Sequence, residues 1–465
     1  MTSGVEQIRQ KMLEIYQKDE ELHRIDTNEI VRELEPLFVA QGYRAHREGE
    51  PQRIMIQHDS GVGDFINLSP SIREIRRAYP DAYITLVVYS RGRDLAATCP
   101  YADQMIVNPR LADWRNPMAM FRWNIDFVQK LLPMHYDICF NFVSWGSAVM
   151  LSYLCGAARR IGFLAETGGC GGAFPYAALE VFLTDRVPRK ARGTHSVYSY
   201  LSLIEPIIGH AVNDCQTEVW FLSQEKERWQ KKLQEQVPPP PRTGVPVRWM
   251  AVVLGGTDGR KQWPVASYVE LLQLIREKET DVDVRFLVIG GPENRNDGDH
   301  LAAGLPEHVV WNIAGSMNYR ESVAALSCCS CYIGNDTGLM HAAAAVGLPV
   351  LTPNCYAAEL PMTERSNPPA YYPFGVPAVI VLPAHLMPEC QRADAVMGCA
   401  QPGHPHCICQ IPPALMLKGY CILKEMIREK QSGTILFYET EDMHQEKVTV
   451  MKRLSGLFPE KGLQW

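Results

Sequence analysis

The stretch RIMIQHDSGVGDFINLSPSIREIRRAYPDAYITLVV, Arg53 to Val88, decides the fold class. Ile54-Met55-Ile56 reads as a short apolar strand, Ser71 to Ala78 as a helix, and Tyr83 to Val88 as a second strand. The same alternation continues downstream. Gln104 to Val107 and Asp137 to Phe142 read as strands, and Met118 to Leu132 and Ala148 to Leu154 as helices. Alternation of this kind predicts an α/β domain with a mostly parallel sheet covered by helices on both faces.

Upstream, Val5, Ile8, Met12 and Ile15 recur at three-to-four spacing, and Ile30, Leu34, Leu37 and Phe38 repeat the pattern. This predicts an amphipathic helical extension over residues 1–48, packed on the domain that follows, residues 49–236. A Lys-, Glu- and Gln-rich helix, Gln224 to Gln236, leads into VPPPPRTGVP, Val237 to Pro246. Four consecutive prolines cannot occupy a helix interior or a central strand, so residues 237–248 read as a stiff linker. Alternation then resumes over 249–430, with strands expected at Met250–Leu254, Val284–Ile289, Val309–Ile313, Cys331–Gly334 and Val350–Thr352 and a helix at Val265–Ile275. Residues 431–465 remain as a tail with an amphipathic stretch at Glu446–Leu457. Two α/β domains joined in this way predict a cleft lined by loops at the carboxyl ends of the strands.

Composition narrows the partners. Lys and Arg total 46 against 52 Asp and Glu, a net charge of -6, which argues against nucleic acid. The N-terminus lacks the apolar core of a secretory signal. The most apolar run, Thr337 to Ala358, contains Pro349 and Pro353 and reads as helix, turn and strand, not a membrane span. Fourteen cysteines without an export signal suggest reduced thiols and a cytoplasmic protein, with peripheral membrane contact still open. Cys139, Cys328, Cys329 and Cys331 lie in apolar stretches and read as core filler.

Three loops carry candidate chemistry. After the first strand, HDSGVGDF (His58–Phe65) begins like a dinucleotide fingerprint, but position 66 is Ile where a third glycine would stand, which disfavours a Rossmann dehydrogenase. The loop offers Asp64 near a helix start, as a general base for a hydroxyl or merely as a helix cap. In GGTDGRKQWP (Gly255–Pro264), Arg260 precedes Lys261 and Gln262 replaces the hydroxyl residue, which disfavours a P-loop nucleotidase. Arg260 and Lys261 can face a diphosphate or stand as solvated surface charges. In GNDTGLMH (Gly334–His341), Asp336 or Thr337 can cap a helix whose first N–H groups, at Thr337, Gly338 and Leu339, form an anion site. His341 follows one turn later, as a ligand contact or a satisfied core histidine.

These loops, in this order, resemble glycosyltransferase family 9, the ADP-heptose:lipopolysaccharide heptosyltransferases and their relatives. The resemblance runs from about Arg53 to Leu417 and is carried by GVGDFINLSPSIREIRRAYPDAYITLVV, RKQWP and GNDTGLMHAAAAVGLPV, with weaker echoes in GGPEN and Gly315-Ser316-Met317. It implies a GT-B fold of two Rossmann-like domains facing a central cleft, the acceptor on the first domain and the nucleotide-sugar donor on the second. It implies an inverting, metal-independent transfer of heptose from ADP-heptose to a lipopolysaccharide or other saccharide acceptor. By position, Asp64 is the base and Lys261 neutralises the departing diphosphate. Gly63, Thr257, Asp336, Thr337, Gly338, Leu339 and His341 shape the donor site, Glu293 meets the ribose and the Met317 backbone the adenine.

The chain departs from the family pattern in its N-terminal extension, its long tail, and the cluster Cys390, Cys399, His404, His406, Cys407 and Cys409. Relatives that modify autotransporters are thought to hold iron through cysteines in this region. The C-x8-C-x7-C-x-C spacing lacks the C-x2-C knuckle of a tight structural site, so free thiols are the alternative to a bound metal. No cofactor beyond the donor is implied for catalysis. Arg91, Arg93 and Arg110 follow strands of the first domain and are candidates for an acidic acceptor. Two other readings stay open: a transferase of the same fold acting on protein, and a non-catalytic sugar-nucleotide-binding subunit.

Overall fold

The structure, a computed structural model, describes residues 4–21, 26–45, 49–58, 61–108, 117–143, 146–163, 179–189, 194–235, 244–256, 258–359, 371–387, 406–441 and 447–453. The chain divides into two units, Met1–Lys190 with Val197–Cys215, and Ala191–Ser196 with Gln216–Trp465. No helix among the described residues is long and apolar enough to cross a membrane.

In the first unit, β1 (Arg53–His58), β2 (Tyr83–Tyr89), β3 (Gln104–Asn108), β4 (Ile138–Asn141), β5 (Arg159–Phe163) and β6 (Asp185–Val187) form one parallel sheet. Its order is β3-β2-β1-β4-β5-β6. The strand order reverses beside β1, and such a switch point leaves a crevice at the carboxyl ends of the strands. β1 to β4 match the sequence reading. β5 and β6 escaped it because Arg159-Arg160-Ile161-Gly162-Phe163 lacks an apolar period and the last strand spans only three residues.

The helix after β1 is longer than expected. α3 runs Val62–Ala78, after α1 (Gly4–Glu21) and α2 (Thr27–Ala40), and contains Pro70. Proline lacks the N–H that would bond the Ile66 carbonyl, and the Ser69 hydroxyl donates to that oxygen instead, at 2.7 Å. The extension is part of the first unit. Ile8, Met12, Ile15, Ile30, Leu34 and Phe38 pack with Phe121, Met150 and Phe182, which include residues of α4 (Pro117–Phe127) and α5 (Gly146–Leu154).

In the second unit the sheet order is β14-β13-β12-β11-β10-β7-β8-β9. Its strands are β7 (Val247–Val253), β8 (Asp283–Val288), β9 (Val310–Asn312), β10 (Tyr332–Gly334), β11 (Val350–Pro353), β12 (Pro377–Val381), β13 (Gly433–Glu441) and β14 (Lys447–Arg453). All neighbours are parallel except β13 and β14. Val252, Phe286, Ile333, Leu351 and Val379 form the core, with Tyr268 and Leu272 of one helix and Tyr420 and Leu423 of another.

Three boundaries differ from the sequence reading. α6 (Ser196–Ile208) precedes α7 (Ser223–Glu235), and α7 joins the second unit, not the first. Its Trp229 meets Trp311 at 5.7 Å, and its Glu225 pairs with Arg320 at 2.9 Å. The proline-rich segment does not join the two units, since both its flanks belong to the second, and Val247 already opens β7; residues 236–243 lie outside the described residues. Within the segment from 431, Gly433–Glu441 and Lys447–Arg453 are strands and not a tail, and residues 454–465 lie outside the described residues. β13 pairs in register with β12, from Gly433 opposite Pro377 to Phe437 opposite Val381, and buries Leu436 and Phe437. Of the amphipathic stretch Glu446–Leu457, Lys447–Arg453 forms β14, an alternation with the period of a strand; the rest lies outside the described residues.

Candidate functional site

Of the two units, the second brings most of the predicted residues together. α8 (Val265–Lys278) is preceded by a 3-10 turn, Gly259–Lys261, capped by the Asp258 carboxylate on the Arg260 N–H at 3.1 Å. After β10 the chain turns through Asn335 and Asp336, and α10 (Gly338–Ala345) begins, following α9 (Tyr319–Leu326). Lys261 Nζ donates to Asp336 Oδ2 at 2.6 Å, joining residues 75 positions apart. The Asp336 charge and this bond hold the Lys261 ammonium well above its ordinary pKa, against the opposing effect of burial. Lys261 is therefore a fixed cation at neutral pH.

The first N–H groups of α10, at Gly338 and Leu339, have no acceptor within the helix and carry its positive dipole end. Asp336 and Thr337 precede them, and a Cβ at Gly256 would lie 3.5 Å from Thr337 Cγ2. The loop after β7 thus runs against the helix start. His341 is buried one turn into α10, and it disfavours charge on His195, which burial already holds at about 3. His195 Nε2 lies 3.0 Å from the Tyr372 carbonyl.

The weaker echoes also meet. The Gly315 N–H donates to the Gly290 carbonyl at 2.9 Å, bringing the turn that carries Met317 onto the loop that carries Glu293. Gly315 has φ +74°, and a Cβ there would lie 2.8 Å from Pro292 Cα, so only glycine fits. Glu293 is exposed, with its carboxylate folded against Gly291, while the neighbouring Asn294 is buried. A Cβ at Gly255 would fall 2.1 Å from Asn294 Oδ1 and one at Gly290 2.8 Å from it. The two glycines at the ends of β7 and β8 therefore cradle the Asn294 carboxamide.

Other expectations need correction. Arg260 does not stand ready for a phosphate: its Nε donates to both Asp258 carboxylate oxygens, at 2.7 and 2.9 Å, and its Nη2 bonds the same group. Burial pushes the Asp258 carboxyl up, and the Arg260 hydrogen bonds outweigh it and bring the carboxyl below its usual range. Thr257 lies outside the described residues, as do Arg110, Cys390, Cys399 and His404. Cys407 is buried, with its sulfur accepting from the Met387 N–H at 3.3 Å, while Cys409 is exposed. Among the described residues no group of three or more His, Cys, Asp or Glu could hold a metal ion. Arg91 and Arg93 are exposed after β2. Cys139, Cys329 and Cys331 are buried and Cys328 is half-buried.

In the first unit, Gly63 and Asp64 form the first turn of α3. Asp64 is half-buried, and a Cβ at Gly61, the residue before the helix, would lie 3.4 Å from its Oδ2. His58, at the end of β1, is buried beside the rings of Phe65 and Tyr200, and neither ring nitrogen makes a hydrogen bond. Burial lowers its pKa to about 4 although Asp64 opposes the shift.

Sequence reasoning missed Asn335, Asn294, Asp258 and the pair Cys355 and Tyr356, whose acidities respond to Lys261 and Asp336 and are pushed up by burial to about 12. Asn335 and Asn294 were visible only as members of GNDTG and GGPEN. Nothing in their spacing separates a buried amide from an exposed one.

Comparison with known proteins covers the loops Gly255–Pro264 and Gly334–His341 of the second unit. The model of glycosyltransferase family 9 (heptosyltransferase) matches residues 125–362. The lipooligosaccharide heptosyltransferase 2 of Haemophilus ducreyi is 23% identical over 315 residues, 64% of this chain and 81% of that one. The lipopolysaccharide heptosyltransferase 3 of Escherichia coli K12 is 21% identical over 62% of this chain and 78% of its own. Among solved structures, E. coli ADP-heptose lipopolysaccharide heptosyltransferase II superimposes with a TM-score of 0.56 at 17% identity, covering 82% of this chain and 100% of that one. E. coli heptosyltransferase WaaC with ADP-2-deoxy-2-fluoro heptose gives 0.53 at 18%, with the same coverage. The fold is thus GT-B, with two Rossmann-like sheets, and the chain belongs to glycosyltransferase family 9 and is a glycosyltransferase.

Proposed function

We propose that this chain transfers a heptose from ADP-heptose, with inversion and without a catalytic metal ion, to a hydroxyl of a saccharide or lipid-linked acceptor. The observation that carries this reading is the Lys261–Asp336 pair at the N-terminus of α10, a fixed cation beside a helix start that has no side-chain cap from Thr337. An anion held by the first N–H groups of a helix and a lysine is the expected partner of such a site. The donor is inferred from relatives: two structural neighbours are described as an ADP-heptose enzyme and as a complex with a fluorinated ADP-heptose.

In the transfer, the acceptor oxygen forms a bond to the anomeric carbon as the bond from that carbon to the β-phosphate oxygen breaks. The electron pair leaves with ADP. Lys261 and the N–H groups of Gly338 and Leu339 stabilise the growing negative charge on the diphosphate, work that another transferase assigns to a metal ion. The acceptor proton passes to the Asp64 carboxylate, carried on the first turn of α3. Asp336 holds Lys261 in place, His341 shapes the floor, and Glu293 and the Met317 backbone serve the ribose and adenine.

Titration calorimetry with ADP, UDP and GDP against wild type and Lys261→Ala tests the donor half. One diphosphate should bind with micromolar affinity and lose about tenfold or more on substitution. Asp64→Asn should keep that affinity and lower kcat by about 10²- to 10⁴-fold. A folded protein that binds none of the three nucleotides would sink the reading in favour of a non-catalytic role.

A further inference from the structure

Asn335 is fully buried and uses every polar atom it has. Its Oδ1 accepts from the Trp263 N–H at 3.1 Å and the Tyr268 hydroxyl at 2.8 Å, and its Nδ2 donates to the Leu254 carbonyl. Its own N–H donates to the Val253 carbonyl at 2.9 Å, and its carbonyl accepts from the Tyr332 hydroxyl at 2.7 Å. One carboxamide therefore joins the end of β7, the turn before α8 and the turn before α10. Trp263 is pinned at its far side too, with Nε1 on the Ile411 carbonyl at 2.9 Å and its ring against Tyr268.

This matters for the ion pair. Lys261 lies two residues before Trp263, and Asp336 directly follows Asn335. Gln262, between lysine and tryptophan, donates to the Gly256 carbonyl at 2.9 Å. Both members of the pair thus hang from backbone held by the same side chain. We propose that Asn335 is a positioning residue for diphosphate binding: it sets the Lys261 ammonium and the first turn of α10 in one fixed geometry. A charge misplaced by an ångström loses most of its advantage in a preorganised site, because the gain depends on not reorganising. The proposal rests on the donor-site reading above.

The test compares ADP with AMP, which lacks the β-phosphate, by titration calorimetry on the full chain. Wild type should prefer ADP, and Asn335→Ala should lower the ADP-to-AMP affinity ratio about tenfold. A merely structural role would weaken both nucleotides alike, or lower thermal stability, with the ratio unchanged; either result overturns the proposal. If Asn335→Ala fails to fold, Tyr268→Phe decides, because it removes one bond to Oδ1 and keeps the ring. A ratio about threefold below wild type supports positioning, and an unaltered ratio overturns it. Lys261→Ala is run in parallel. If it leaves the ratio unchanged, the diphosphate reading fails and takes the proposal with it. If it lowers the ratio while the Asn335 and Tyr268 variants do not, positioning by Asn335 alone has failed.

Discussion

His58 shows how a single side chain makes stability depend on pH. Its imidazole is buried among Phe65 and Tyr200, without a hydrogen bond on either nitrogen, and its pKa is lowered to about 4. In the unfolded chain the group takes a proton near 6.5, so between those values the unfolded state binds more protons. Stability is therefore full above about pH 6.5 and is lost as pH falls toward 4, by about 2 kcal/mol at pH 5. His195, lowered to about 3, adds in the same direction. His58→Leu should flatten this loss, measured as the difference in denaturation midpoint between pH 7 and pH 5. Identical differences in wild type and variant would show that the imidazole is not the source. At this scale the sequence placed a carboxylate, Asp64, and an ammonium, Lys261, in the segments that follow β1 and β7, as the structure also has them. It was not legible for Arg260, because only the folded turn shows Asp258 already holding the guanidinium.

At the scale of elements, the N-terminal helices are tied to the first unit by Arg44. Its guanidinium donates to the Ala157 carbonyl at 2.7 Å and the Tyr153 carbonyl at 3.1 Å, and pairs with Glu35 at 3.1 Å. It also stacks 4.2 Å from the Phe38 ring and 4.7 Å from the Tyr153 ring. Arg44→Ala takes one donor from each carbonyl, leaving Arg160 on the Ala157 oxygen and the Gly156 N–H on the Tyr153 oxygen, strips Glu35 of its cation and opens space beside two rings, at a cost of about 2–3 kcal/mol. Amide hydrogen exchange should report it as a roughly 30- to 150-fold loss of protection confined to α1 and α2. Unchanged protection there would mean that apolar packing alone retains the helices. The apolar period of α1 and α2 was readable because 3.6-residue spacing is a local property. The anchor was not, since Arg44 meets carbonyls more than a hundred positions away.

For the whole chain, the second sheet reaches through β13 to β14, so the last 35 residues of the sequence include two of its strands. Ending the chain at Lys430 would bare the edge of β12 and remove the buried Leu436 and Phe437. An exposed apolar edge such as Pro377–Val381 invites pairing with other chains. The shortened protein should be largely insoluble or melt several degrees lower, checked by soluble yield and calorimetry. A soluble product with the melting temperature of the full chain would show that β13 is dispensable.

Hydrophobic period and turn chemistry are written in neighbouring residues, and from them the sequence alone determined the α/β alternation, the duplicated unit and the three loops at strand ends. The resemblance to the family was carried by the same loops, as the motifs GVGDF, RKQWP and GNDTGLMH. Tertiary structure decided which charges meet and which are already taken. It paired Lys261 with Asp336, withdrew Arg260 to Asp258, folded Asn294 between Gly255 and Gly290, and made Asn335 the joint of three loops. It also turned an apparent tail into sheet. The physical reason is common to all of these: hydrogen bonds and ion pairs act over a few ångströms, and only the fold brings distant positions within that range.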